Sequence, residues 1–457
     1  MTLRRILIAN RGEIATRIIR TCRRLGIETV LAASEADRDS MAARLADRTV
    51  CIGPARPSDS YLKVDAVVQA ALAARVDAIH PGYGFLSERP ALAQACEEQG
   101  VIFIGPTAAQ IASVGDKLRA RAQAQAADVP IAPGGAVGST AEATVLARSV
   151  GLPLLVKAVG GGGGRGMKRV ERLEDLPQAI HLAESEAGAA FGDARVYIER
   201  FVTRGRHIEV QVLGDGYGQV IHLGERDCSV QRRYQKLIEE TPAPGLSESC
   251  RHRLHEAAIR FAARMAYRGA GTVEFLVDLE HEAFYFLEMN ARIQVEHPVT
   301  EAVTGVDFVA EQIAIAAGEG LRLRQFDVRP RGCALECRVN AEDPARDFQP
   351  SPGHVRAVSW PGGEGIRLDT HVEAGTVIPP FYDSLLAKII AHGADRDAAL
   401  ERMWQAVAAT RIQGVVTNLA FHSTVLANRE FQAGGVDTGF VPRLRERAAI
   451  SVEVHLA

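Results

Sequence analysis

Lys157-Ala-Val-Gly-Gly-Gly-Gly-Gly-Arg165-Gly166 is the stretch on which the reading of the fold turns. Residues 153–158 before it and 166–170 after it carry the short apolar runs of strands. Glycine lets a backbone approach phosphate closely and point several N–H groups at it. No Gly-Lys-Ser/Thr ends the run and no helix follows, so it is not a Walker A loop. The lysine instead precedes the glycines. A flexible hairpin connection would use the same residues. The order strand, lysine, five glycines, strand favours a lid that closes over a nucleotide and opens for product release.

Outward from this run, residues 131–203 form a small unit. A helix is expected over 141–150, a second over 173–187 and a third strand over 196–201. Upstream, strands at 5–9 and 28–33 around a helix at 13–25 open a parallel α/β layer. A second set follows, with helices at 64–73 and 91–99 and strands at 78–80 and 102–104. The first helix opens on Asn10-Arg11-Gly12-Glu13 rather than G-x-G-x-x-G, which weakens a dinucleotide-binding reading. A helix over 117–127 leads through 130–138 into the small unit. After 204 long strands take over. Residues 206–213 and 218–224 flank a glycine-rich hairpin turn, and a second hairpin spans 271–290. Strand and turn signals fill 332–393, and a helix at 395–408 closes the unit. The fold class is α/β and α+β: a Rossmann-like layer over 1–114, a linker over 115–130, the lid over 131–203, a strand-rich C-terminal unit over 204–448 and a tail over 449–457.

The chain of 457 residues has room for about three domains. Its 47% hydrophobic and 24% charged residues are globular values. A net charge of −3 leaves no footprint for nucleic acid or an anionic membrane. No apolar run approaches the length of about 18 residues that spans a bilayer, and the apolar start breaks at Asn10-Arg11, too early for a signal peptide. The seven cysteines are odd in number, scattered and without C-x-x-C spacing, which argues for a reducing, cytoplasmic setting. Cys333 and Cys337 are expected to pack as small hydrophobes on a strand. Only six lysines (63, 117, 157, 168, 236 and 388) stand against 47 arginines. Lysines retained in such a chain point to places that need a compact ammonium rather than a planar guanidinium.

Thr272-Val-Glu274-Phe-Leu-Val-Asp278 and Phe284-Tyr-Phe-Leu-Glu288-Met-Asn290 are apolar strands joined by a short polar turn. A turn centred on His281 pairs Glu274 with Glu288, and Asn290 shares their face. Two carboxylates and an amide oxygen on apolar strands repel one another unless a cation joins them. Oxygen ligands of this kind suit Mg²⁺, completed by water and nucleotide phosphates. Downstream, Arg292-Ile-Gln294-Val295-Glu296 places a guanidinium and a carboxylate near that cation, where they can orient a small planar anion and remove its proton. Arg338 is a second anion holder. His207, Glu209 and Gln211 alternate on one strand face, which reads equally as a polar exterior.

In this order, the segments Ile8–Ala15, His80–Glu88, Phe103–Pro106, Gly115–Lys117, Lys157–Gly166, Glu225–Ser229, Glu288–Thr300 and Tyr382–Ser384 resemble a biotin carboxylase, an ATP-grasp enzyme, along essentially the whole chain. The resemblance implies ATP bound between the lid and the C-terminal unit. Lys117 and Lys157 would contact its phosphates, with Gly163 and Gly164 closing over them. Glu199, Arg200, Phe201 and Val202 would form the edge that reads adenine, with His207, Gln231 and Tyr234 also at the nucleotide. Mg²⁺ or Mn²⁺ falls on Glu274, Glu288 and Asn290. Arg292 would orient bicarbonate with Gln294 and the Val295 backbone, Lys236 would help hold it, and Glu296 would be the general base. Arg338 would face the biotin ureido oxygen near Tyr83.

Tyr234 stands where the family often has His, and Ala42, Arg48 and Arg89 also depart from its pattern; none of these removes a catalytic group. The implied activity is ATP-dependent carboxylation of biotin through carboxyphosphate, the first half-reaction of an acetyl-CoA or other acyl-CoA carboxylase in fatty acid synthesis. No Met-Lys-Met biotinyl-lysine motif is present, so the carrier protein and carboxyltransferase are expected on other chains. A homodimer is expected from the resemblance alone. Two alternatives stay open: another ATP-grasp ligase joining a carboxylate to an amine, and a paralogue that binds nucleotide without turnover.

Overall fold

The computed structural model describes residues 2–160, 167–281 and 283–447. Strands β1 (Arg5–Ile8), β2 (Glu28–Ala33), β3 (Arg48–Cys51), β4 (Ala78–His80) and β5 (Ile102–Phe103) form one parallel sheet in the order β3-β2-β1-β4-β5. The chain runs to one side from β1 and returns to start the other side at β4. Such a reversal opens a crevice at the carboxyl ends of the two central strands. Asn10–Glu13 after β1 and Tyr83–Phe85 after β4 enter this crevice and line a cavity of about 290 Å³ with Tyr382. The helix Gly12–Arg24 buries Ile14, Ile18 and Cys22 at helical spacing. β3 was not expected, because an edge strand of Arg, Thr, Val and Cys that is mostly exposed carries no apolar run.

The small unit is a four-stranded antiparallel sheet of β6 (Gly134–Ala136), β7 (Leu154–Ala158), β8 (Met167–Val170) and β9 (Val196–Arg200), ordered β6-β9-β7-β8. Helices Thr140–Val150 and Leu176–Phe191 cover the face formed by Leu154, Val156 and Ile198. Alternation along β7 and β9 therefore sends Lys157 and Glu199 to the opposite face. Gly163 and Gly164 lie outside the described residues.

The largest sheet has eight antiparallel strands. Its order is β14 (Ala283–Asn290), β13 (Arg268–Asp278), β10 (Gly205–Asp215), β11 (Val220–Arg232), β12 (Gln235–Thr241), β15 (Cys333–Asn340), then Leu385–Gly393 and Ile366–Thr370. The helix Glu248–Arg264, capped by the Ser247 hydroxyl, packs Leu254, Ala258 and Phe261 against Val210, Val212 and Phe275. The alternate residues of β10 face away from that helix. They are not a solvated exterior: Glu209 and Gln211 are buried, because Arg226 pairs opposite Glu209 across the hairpin and neutralises it. The helix Lys117–Ala126 buries Ala120 and Ala124 in the same core as the parallel sheet, so 115–130 is packed helix for much of its length.

All seven cysteines are free; Cys337 is buried as expected, while Cys333 is only half-buried at its strand end. Among the described residues no helix is long and apolar enough to cross a membrane.

Candidate active site

The second hairpin pairs Glu274 with Glu288 and Thr272 with Asn290. One step on, Phe275 pairs with Phe286, so Leu287 is an extra residue bulged out of β14. The turn itself is held by Asp278, whose carboxylate accepts from the Glu280 and His281 N–H groups. The carboxylates nevertheless have different partners. Glu288 meets Lys117 at 3.1 Å. Glu274 is buried and accepts from Asn290 Nδ2 at 2.9 Å and Gln294 Nε2 at 3.2 Å.

Lys236, opposite Gln231 near the start of β12, is the centre of the site. Its ammonium touches Glu209 at 2.6 Å, Glu274 at 3.0 Å and Glu296 at 2.6 Å. Each carboxylate has a further partner: the Arg226 guanidinium on Glu209 at 2.6 Å, the His207 imidazole on Glu274 at 3.0 Å and the Arg338 guanidinium on Glu296 at 2.8 Å. The His207 contact lies off the line of a well-formed hydrogen bond. Burial alone pushes the Glu296 carboxyl up, but Lys236, Arg338 and Arg226 outweigh it and hold the group well below the ordinary carboxylate range. The same balance lowers Glu274, through Lys236 and His207. Burial disfavours the Lys236 ammonium, and the three glutamates more than restore it, raising its pKa well above the ordinary lysine value.

Arg292 and Arg338 flank this centre. Arg292 donates to Glu88 at 2.7 Å, to Gln294 Oε1 at 2.8 Å and to Asn290 Oδ1 at 3.0 Å. Arg338 bridges Glu296 and Glu239, the latter at 2.6 Å. Burial lifts Glu239 to about 7 against the pull of Arg338, with the Glu296 charge adding to the rise. Tyr83 stands on the wall of the crevice cavity and donates to Glu13.

Lys157 and Arg121 share the two oxygens of Glu199, at 2.7 Å and 3.0 Å. β9 lies between β6 and β7, so Glu199 has strand partners on both flanks. The Arg200 and Phe201 N–H groups donate to the carbonyls of Pro133 and Pro153. Glu199 is therefore interior to the sheet, and its carboxylate holds the lysine. Arg233 and Tyr234 form the two-residue turn joining β11 to β12, both with positive φ (48° and 66°). That conformation favours glycine or asparagine, and non-glycine residues kept there mark a constrained turn. It leaves Tyr234 54% exposed beside buried Gln231.

The donor set Glu274, Glu288 and Asn290 is all oxygen, with two anionic members directly opposed, and so fits a hard divalent cation. Lys117 and Lys236 are the cations that balance the two carboxylates here, with the His207 imidazole beside Glu274. Sequence reasoning missed Glu88, Glu239, Arg121 and Arg226 as members of the site, and left Glu209 open. The facing of Glu209 and Arg226 across a hairpin was the available signal, since a cross-strand charge pair between apolar neighbours points inward.

Family models match almost the whole chain. "Biotin carboxylase, N-terminal domain" covers residues 2–111, "Carbamoyl-phosphate synthase L chain, ATP binding domain" covers 116–324 and "Biotin carboxylase C-terminal domain" covers 336–443. A biotin carboxylase of Nostoc sp. is 50% identical over 448 residues, covering 98% of this chain and 100% of its own. A crystal structure of a biotin carboxylase–β,γ-ATP complex from Campylobacter jejuni superposes with a TM-score of 0.94 at 44% identity, covering 97% of this chain and 99% of its own. The biotin carboxylase domain dimer of Hydrogenobacter thermophilus 2-oxoglutarate carboxylase, crystallised with MgADP, ADP and bicarbonate, gives 0.93 at 42% identity, covering 97% and 98%. With three consecutive domain matches, half of its residues shared with such an enzyme and this buried carboxylate–cation centre in place, the chain belongs to the biotin carboxylase family of ATP-grasp enzymes.

Proposed function

We propose that this enzyme carboxylates biotin on a carrier protein, using ATP and bicarbonate. The observation that carries the residue roles is Glu296, wholly buried and clamped between Lys236 and Arg338, with Arg292 fixed nearby by Glu88, Gln294 and Asn290. A base held so far below its ordinary pKa is a weak one. Its two cations are the groups assigned to the substrates: Lys236 to bicarbonate and Arg338 to the ureido oxygen of biotin. As each substrate takes its cation, Glu296 loses a positive neighbour and gains basicity where the proton must be removed.

Bicarbonate oriented by Arg292, Gln294 and the Val295 backbone gives its proton to Glu296 and attacks the γ-phosphorus of ATP. The new P–O bond forms as the bond to the β-phosphate oxygen breaks, giving carboxyphosphate and ADP. Lys117 and Lys157 exchange Glu288 and Glu199 for phosphate oxygens and stabilise the charge spread over them. Glu274, Glu288 and Asn290 would hold a divalent ion, which would supply further charge neutralisation at the phosphates. Carboxyphosphate releases CO₂ in a site closed to water, and the phosphate takes the biotin N1′ proton. Arg338 stabilises the resulting negative ureido oxygen, and N1′ forms its new bond to the carbon of CO₂ to give carboxybiotin. Glu239 on its far side steadies the guanidinium.

The carrier and the carboxyltransferase are separate chains in this reading, supported by the Nostoc biotin carboxylase, which this chain matches over 100% of its length. A homodimer is supported by the dimeric form of the Hydrogenobacter domain. A cytoplasmic setting is supported by seven unpaired cysteines. The final acceptor is an acyl-CoA or a keto acid, and a fatty-acid role belongs to the acetyl-CoA case. The test is ADP release: it should require bicarbonate and rise with free biotin. Release that responds instead to an amine and a carboxylic acid would establish the ligase alternative.

A further inference from the structure

Lys388 is one of only six lysines, and its side chain is 0% exposed in the strand Leu385–Gly393. A chain that uses arginine for its surface cations has kept here a compact point donor inside the protein. Its ammonium donates to the Val295 carbonyl at 2.9 Å, meets Glu13 at 3.1 Å and lies 3.9 Å from Asp369. Asp369 has its own partner, Arg367, at 2.7 Å. Glu13 receives the Tyr83 hydroxyl on the oxygen that also faces Lys388. Tyr83 and Glu13 both line the crevice cavity. An unbroken polar chain thus runs from the cavity wall through Tyr83, Glu13 and Lys388 to the peptide joining Val295 to Glu296.

We infer that Lys388 is a positioning residue: it fixes the Val295–Glu296 peptide, and with it the bicarbonate seat and the general base, from the side of the crevice cavity at Tyr83. The inference rests on the reading of the site as a bicarbonate-activating centre. Its physical basis is that the half-buried Val295 carbonyl takes its side-chain hydrogen bond from a donor that is itself fully buried and charged. A buried ammonium balanced by Glu13 holds that donor in a single place. Tyr83 and Glu13 line the crevice cavity, so a ureido ring bound there would meet the same chain that reaches the base.

The test is the double variant Lys388→Met/Glu13→Gln, which removes both buried charges together and keeps their volume, read beside wild type by steady-state kinetics. The expected result is a rise of about tenfold in KM for bicarbonate, the scale of losing one hydrogen bond from a charged donor. KM for ATP should stay within about twofold, and the stimulation of ATP cleavage by free biotin should shrink. If KM for ATP and bicarbonate move together, or neither moves, the positioning role is overturned. Should the double variant not be recovered folded, Lys388→Arg keeps the buried charge but replaces the point donor with a larger planar fork. It should show the same selective effect, and unchanged kinetics in it would overturn the inference. Wild-type enzyme that cleaves ATP without bicarbonate would instead sink the underlying reading, so the two failures are distinct.

Discussion

Lys236→Met isolates the charge at the centre of the site while keeping its volume. The ammonium contacts three carboxylates at 2.6, 3.0 and 2.6 Å. After its removal Glu209 retains Arg226 and Glu296 retains Arg338, but Glu274 is left with the neutral donors Asn290 and Gln294 and the off-line contact with His207. Removing one partner of a buried ion pair costs about 3–5 kcal/mol. The lower end applies here, because two of the three carboxylates keep a guanidinium. At about 2–4 °C per kcal/mol for a unit of this size, Tm should fall by about 6–12 °C in the presence of a chelator. Scanning calorimetry near neutral pH measures it directly. Magnesium should then raise the Tm of the variant more than that of wild type, since a divalent ion at Glu274 restores the missing positive charge. A Tm within about 2 °C of wild type without metal would refute the charge-hub reasoning. An equal response to magnesium would refute the placing of the ion at Glu274.

Glu288→Gln should abolish magnesium-dependent turnover, because it halves the anionic ligand set and frees Lys117; activity unchanged across a magnesium titration would remove the metal assignment. Arg338→Ala should depress biotin carboxylation more than bicarbonate-dependent ATP cleavage, and equal losses in the two assays would argue against its role at the ureido oxygen. Glu274 and Glu296 are held below their ordinary value in the folded protein. Their contribution to stability is therefore present above about pH 4.5 and lost as pH falls through the folded values. Tm should drop over that acid range, less steeply in Glu296→Gln, and parallel wild-type and variant curves would contradict this.

The strand period made the pairing of Glu274 with Glu288 legible, yet the route to it was not. Counting from a turn centred on His281 gives the right partners only because the true turn lies half a residue earlier and Leu287 bulges to compensate. A bulge leaves no mark in an apolar strand. The glycine run and its lysine placed the small sheet, but alternation cannot say that Lys157 faces Glu199, which comes from a strand more than 40 residues later. The helix Ala108–Gly115 was missed although Thr107 and Gln110 spell a capping box. Burial of Glu209 and Gln211 depends on what covers the sheet, and those partners are tertiary. Glu88 and Glu239 escaped for the same reason: each is an ordinary surface-type residue in sequence, and only folding sets it against Arg292 or Arg338.

The most direct measurement follows labelled bicarbonate. Incubated with ATP, magnesium and free biotin, the enzyme should transfer label to the N1′ position of biotin, with ADP formed only when bicarbonate is present. ADP formed at the same rate without bicarbonate, or label that never reaches biotin, would contradict the assignment of Arg292, Lys236 and Glu296 to a one-carbon anion.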